Sequence, residues 1–196
     1  MAKNNALQKE LKNWGIILAV FIFMFVTGLH RPVISALQQL ILMTGLMKPD
    51  MNLVLEDQPD ASYDLELTTL NGEKISLSEF EGKVVFMNLW ATWCPPCVAE
   101  MPNIHSLYEK VHSDKIQFVM ISLDDSPEKV EAFLERAGYK FPVFMLSGNR
   151  PQVYASKTIP TTFVISPNGK VATMRQGLAS YDTDEFRAFL EKLSKL

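Results

Sequence analysis

The sequence predicts an α/β sandwich with a mixed central sheet, and three observations carry that expectation. Residues 84–90 and 116–123 are continuous apolar runs, as expected of central strands covered on both faces. Segments of helical spacing follow each run. The chain then closes with a hairpin across Asn168-Gly169 and a terminal helix.

Composition allows a substantial core, with 47% hydrophobic residues in a chain of 196 and no internal repeat. The charge is uneven. Residues 1–50 hold five Lys/Arg and two Asp/Glu, whereas residues 51–196 hold fourteen and twenty, a net −6 that is a poor match for nucleic acid.

The N-terminal fifty residues read as an anchor. A basic tail, 1–13, with Lys3, Lys9 and Lys12, precedes an uncharged apolar stretch assigned as a transmembrane segment over 14–30. Its apolar part, 14–29, spans about 24 Å as a helix, against a hydrocarbon layer of ~30 Å. A cleavable signal peptide shares the basic start and apolar middle, but no Ala-x-Ala site follows. Residues 31–50 contain a second apolar stretch, 33–47, in which Ser35, Gln38 and Gln39 gather on one helical face. As a second span it would return the rest of the chain to the cytoplasm, and counting Lys/Arg leans that way. Length and patterning favour an amphipathic helix on the outer membrane surface. The expected topology is therefore single-pass, with residues 61–196 outside the cytoplasm and 51–60 as a polar linker.

Within 61–196, Tyr63, Leu65 and Leu67 alternate with polar residues, Asn71-Gly72 marks a turn, and Ile75 and Leu77 resume the alternation, giving an N-terminal β-hairpin. Residues 78–82 form a helical turn closed by glycine, and the strand at 84–90 leads directly to Trp93-Cys94-Pro95-Pro96-Cys97. Val98, Met101, Ile104, Leu107, Tyr108 and Val111 then recur at helical spacing, with a kink expected at Pro102. The strand at 116–123 is followed by Ser126-Pro127 as helix start and Gly138 as helix stop. A strand at 141–146, a turn at 151–156, the hairpin 161–165/170–176 and a helix at 183–193 complete the reading.

Both cysteines of the chain lie in one pentapeptide, at i and i+3, a spacing that lets one sulfur attack the other without backbone movement. Cys94 precedes the helix, where unpaired N–H groups and the positive dipole end favour its thiolate, so it is the candidate nucleophile. Cys97, one turn in, is the resolving thiol. Pro95 and Pro96 have no N–H to offer the Cys94 sulfur, so the thiolate is less stabilised than in strongly oxidising dithiols, which predicts a reductant. No metal or organic cofactor is required.

The strand, Trp-Cys-x-x-Cys, the proline-containing helix and the later Thr158-Ile159-Pro160-Thr161-Thr162 resemble the thioredoxin fold. The added hairpin, the central βα insertion at 116–137, and Trp-Cys-Pro-Pro-Cys with Glu100 resemble the TlpA/ResA/CcmG branch of membrane-tethered thiol-disulfide oxidoreductases. The resemblance implies a protein disulfide reductase at the cell (inner) membrane, facing the periplasm or extracytoplasmic side. It also implies disulfide-containing client proteins, as in cytochrome c maturation or oxidase assembly, and a membrane thiol relay as electron donor. Glu100 matches the active-site glutamate of that branch and would carry protons. On the helix alone, without that resemblance, it reads as a solvated charge. Asn88 stands where thioredoxin-like proteins often carry a buried aspartate, and Ile159-Pro160 fits the cis-proline loop whose backbone pairs with substrate. Trp93 is expected as an exposed platform beside Cys94, Trp90 as core, and His105 and His112 as surface residues.

Two other classes share parts of this pattern. A peroxiredoxin-like antioxidant would carry threonine three residues before its cysteine, and here that residue is Ala91. A copper carrier would use Cys94 and Cys97 with methionines as soft ligands, yet most of the ten methionines lie in apolar stretches.

Overall fold

The computed structural model describes residues 2–43, 47, 49 and 58–196. Seven strands form one mixed sheet: β1 (Glu66–Thr69), β2 (Lys74–Ser76), β3 (Val84–Trp90), β4 (Ile116–Ser122), β5 (Val143–Leu146), β6 (Thr161–Ile165) and β7 (Val171–Gln176), in the spatial order β2-β1-β5-β4-β3-β6-β7. β3, β4 and β5 are mutually parallel, and the flanking pairs β1–β5, β3–β6, β1–β2 and β6–β7 are antiparallel. Among the described residues five helices accompany it: α1 (Ala2–Val26), α2 (His30–Met43), α3 (Pro95–Val111), α4 (Pro127–Ala137) and α5 (Asp184–Leu193).

All seven residues of β3 are buried. Side chains alternate across a strand, so Val84, Phe86, Asn88 and Trp90 share one face and Val85, Met87 and Leu89 the other. The first face packs on α3, α4 and α5 through Met101, Ile104, Leu107, Val130, Phe133, Phe186 and Leu190. The second is covered by Leu65, Leu67, Leu77 and Tyr154 rather than by helices. The layering expected from the sequence is thus asymmetric, because the N-terminal hairpin and two 3-10 turns, Leu77–Phe80 and Gln152–Tyr154, do on one side what helices do on the other. Asn88 is the one polar residue of β3, and the alternation aims it at the helical face.

The globular unit starts slightly before residue 61. Val171 donates its N–H to the Pro59 carbonyl at 2.9 Å, and Asp60 bridges Lys170 in both backbone and side chain. Residues 51–57 of the expected linker lie outside the described residues. α3 runs through Pro102 as one helix, and Gly138 ends α4 at φ 73°, a left-handed conformation that glycine adopts without penalty.

In the N-terminal region α1 starts at Ala2, ahead of the apolar stretch, and a turn at 27–29 separates it from α2. Among the described residues no single helix is long and apolar enough to cross a membrane; Lys12–Val26 and His30–Leu42 meet the length and composition only as a pair, bent by 95°. The polar stripe of α2 faces protein: Ser35 is buried, its Oγ donates to the Pro95 carbonyl at 2.9 Å, and Leu42 packs with Ala99 and Leu178. Val33, Ile34, Leu37, Leu40 and Ile41 are exposed on α2. Ser35 thus turns the polar stripe of α2 toward α3, where the Pro95 carbonyl accepts from its hydroxyl.

Candidate redox site

β3 delivers the chain to Cys94, and the connection is pinned by Asp124 at the end of β4. Asp124 accepts from the Thr92 N–H at 2.9 Å, the Thr92 hydroxyl at 2.6 Å and the Ser122 hydroxyl at 2.7 Å. Leu123 also donates its N–H to the Trp90 carbonyl at 2.8 Å. The loop bearing the cysteines is therefore held from the neighbouring strand, a brace the sequence reading did not find. Asp124 in a polar run after β4 gives no sign of its partner.

Cys94 is the N-cap of α3 and is joined to Cys97 in a disulfide, with Cα atoms 5.3 Å apart. The Cys97 N–H donates to the Cys94 sulfur at 3.3 Å. Pro95 and Pro96 occupy the first helical positions and contribute no donor. Cys94 is 5% exposed and Cys97 fully buried, so client sulfur reaches the first and not the second. Trp93 is 52% exposed beside it, and Trp90 is buried in the core against Phe133. The Ile159-Pro160 peptide is cis, and the Ile159 carbonyl oxygen lies 3.8 Å from the Cys94 sulfur. The cis-proline loop thus borders the dithiol.

Glu100 is wholly buried, which removes the reading of a solvated helix charge. It lies on the α3 stripe that also carries Cys97, Met101, Ile104 and Leu107. Asn88 Nδ2 donates to Glu100 Oε1 at 2.9 Å and to Thr162 Oγ1 at 2.8 Å, and Tyr181 Oη donates to the same Thr162 oxygen at 2.7 Å. The Ala179 N–H approaches Glu100 Oε2 at 3.4 Å. Thr162 faces Asn88 because the two are register partners in β3 and β6. Thr162 and Tyr181 were not singled out from the sequence. Thr162 follows the proline loop and was legible as its neighbour, while Tyr181 comes from the distant approach to α5.

Desolvation pushes the Glu100 carboxyl up to about 8, against the opposing pull of the Asn88 and Ala179 donors and the Arg175 charge. The same burial, reinforced by the Glu100 charge, raises the Tyr181 phenol well above its ordinary value. Near neutrality Glu100 is mostly protonated and can exchange that proton within a unit or so of ambient pH. Asn88 suits both states. Its Nδ2 serves a carboxylate, and its Oδ1, which has no partner, would accept from a carboxylic acid if the amide rotated.

His112 is exposed as expected, but His105 is not a surface residue. Its ring packs among Tyr108, Tyr139 and Phe141 with Nε2 buried and unpartnered, so its role is in aromatic packing.

A thioredoxin-like sheet presenting a Cys-x-x-Cys disulfide at a helix N-terminus, beside a cis-proline loop, defines a thiol-disulfide oxidoreductase. The chain belongs to the Redoxin family, whose profile matches residues 50–189, and within it to the ResA/CcmG-like thiol-disulfide oxidoreductases. The thiol-disulfide oxidoreductase ResA of Bacillus thuringiensis (strain Al Hakam) is 33% identical over 129 residues, covering 65% of this chain and 73% of that protein. ResA of Oceanobacillus iheyensis is 36% identical over 128 residues, covering 63% and 67%. Among solved structures, one described as a thiol:disulfide interchange protein DsbE from Chlorobium tepidum superposes with a TM-score of 0.61 at 29% identity, over 70% of this chain and 98% of that one. StoA from Bacillus subtilis gives 0.51 at 28% identity, over 66% and 92%.

Proposed function

We propose that the chain is a membrane-anchored, extracytoplasmic reductase of protein disulfides. The observation that carries the reductase reading is the contrast at the helix mouth: one sulfur touches the surface between Trp93 and the Ile159 carbonyl, and only the Cys97 N–H supports it. With two prolines in place of donors, the Cys94 thiolate gains little stabilisation, which keeps the dithiol strongly reducing.

In the proposed cycle the Cys94 thiolate attacks a client disulfide, forming one S–S bond and releasing one client thiolate. Cys97 then loses its proton and attacks the Cys94 sulfur, freeing the second client thiolate and closing the Cys94–Cys97 disulfide. Two electrons have passed to the client. Glu100 accepts the Cys97 proton in the second step, Trp93 and the Ile159-Pro160 backbone hold the client, and the sulfur pair is the only redox group used. A membrane thiol relay returns the electrons.

Anchoring is supported by the side chains of α1, where Trp14, Ile17, Leu18, Phe21, Phe23 and Phe25 are all more than half exposed to solvent, as a bilayer-facing helix would leave them. Clients are exported proteins with oxidised cysteine pairs, of which apocytochrome c and oxidase assembly factors are the leading examples. The midpoint potential of the purified chain tests the reductase reading: a value near −300 mV is expected, and one near that of strong oxidants, about −120 mV, would overturn it. Labelling intact cells with a membrane-impermeant maleimide, using Lys195→Cys in a background lacking Cys94 and Cys97, tests orientation. Absence of labelling until lysis would place the domain inside.

A further inference from the structure

α2 does more than end the N-terminal region, because it walls one side of the redox site. Held by Ser35 on the Pro95 carbonyl, it leaves a cavity of about 190 Å³ between itself, the loop before α3, and α4. Arg31 and Ser35 of α2, Trp93 and Pro95 on either side of Cys94, and Phe133 and Arg136 of α4 line it. The cleft is therefore lined by both sequence neighbours of Cys94 and has a guanidinium from each of two helices. Arg31 and Arg136 are exposed, and among the described residues neither makes an ion pair. Arg187, by contrast, is engaged by Asp182 and Asp184.

Arg31, from the basic N-terminal fifty, and Arg136, from residues 51–196 that carry a net −6, line one concavity with no ion pair among the described residues. Guanidinium groups match carboxylates in a two-pronged geometry, and two of them in a partly enclosed space favour an anionic group over a neutral one. An extended chain advances roughly 3.3 Å per residue, so a side chain entering the cleft belongs to a residue one to three positions from the attacked cysteine. We propose that this cleft recognises an acidic residue of the client, and that the enzyme prefers disulfides with Asp or Glu that close to the cysteine. A polypeptide fits better than a lipid surface here. Arg136 comes from α4 of the globular unit and shares a concavity with Phe133 and Trp93, a mixed apolar and cationic lining that suits a single acidic side chain on a peptide.

The inference rests on the proposed reduction of client disulfides, and the experiment separates the two. The full-length chain, reduced and held in a neutral detergent, is offered two peptide disulfides that differ only in Asp or Asn two residues from the cysteine. Turnover of the Asn peptide reports the reductase activity itself. The expected kcat/KM ratio, Asp over Asn, is about fivefold at low salt, shrinking at high salt. It should fall to about one in Arg31→Ala/Arg136→Ala and drop below one in Arg136→Glu. A ratio near one in the native chain, or one unmoved by the double substitution, overturns the proposal. So does a double variant that loses binding to phosphatidylglycerol vesicles while the peptide ratio stays fixed, since the arginines would then serve lipid.

Discussion

Asn88 donates to Glu100 across 2.9 Å in a space from which both side chains are fully excluded from solvent. The carboxyl behind the dithiol is thus tuned by an amide that carries no charge of its own. Substituting Asn88 by Ala removes a donor that favours the ionised form, so the Glu100 pKa should rise above its present value of about 8. A carboxyl resonance followed by NMR during pH titration would reveal it, and an unmoved midpoint would contradict the role given to the amide.

The same burial makes stability depend on pH. The unfolded chain releases the Glu100 proton near the usual 4.5, and the folded chain holds it to about 8. The stabilisation belonging to the neutral form is complete below about pH 4.5 and is lost as pH rises through 8. Glu100→Gln cannot ionise, so its stability relative to the native chain should improve by roughly a few kcal/mol between pH 5 and 9. Urea unfolding of both proteins across that range is the measurement, and parallel curves would refute the expectation.

Catalysis should respond in the opposite sense. If Glu100 takes the Cys97 proton, resolution of the mixed disulfide accelerates as pH rises through about 8. Glu100→Gln should slow that step on the order of a hundredfold at neutral pH, while leaving the initial attack by Cys94 largely intact. Stopped-flow measurement of the two phases distinguishes them.

Cys97→Ala should hold clients as mixed disulfides on Cys94, because the buried sulfur that releases them is gone. Non-reducing gels of membrane fractions would show the adducts. Cys94→Ser should show none, and equal adducts in both variants would reverse the assignment of nucleophile.

Pro96→Ala restores a backbone N–H at the second helical position, within the turn that already donates from Cys97 to the Cys94 sulfur. One added hydrogen bond to a thiolate, worth about 1.5 kcal/mol, should raise the midpoint potential by roughly 30 mV. Equilibration with a glutathione redox buffer reads the shift directly, and a fall in potential would exclude donor counting as its cause.

Much of this was legible in the sequence because the strong signals are local. The apolar run of β3, the hairpin glycines and the cysteine spacing each act over a few residues, and the sheet follows from them. The burial of Glu100 was not legible: it sits three residues after Cys97 and four before Ile104, on the stripe that faces the sheet, yet a carboxylate on a helix reads first as a solvated charge. What the sequence withheld are contacts closed by tertiary packing. Tyr181 reaches Thr162, Asp124 braces Thr92, and Ser35 seeks out Pro95, each joining segments whose own patterns point nowhere in particular. The partner of α2 stayed hidden for the same reason, since a polar stripe does not say whether water or a carbonyl will satisfy it.

The right-angled elbow between α1 and α2 has a mechanical consequence. A reductase on a long, floppy leash sweeps a hemisphere and meets partners at many heights. Under the proposed anchoring, with α1 in lipid and α2 held to α3 through Ser35, the dithiol would ride on a short bracket at nearly fixed altitude. Its working radius would then be a thin shell just above the headgroups, with polypeptides emerging from or parked on that surface within range and freely diffusing ones out of reach.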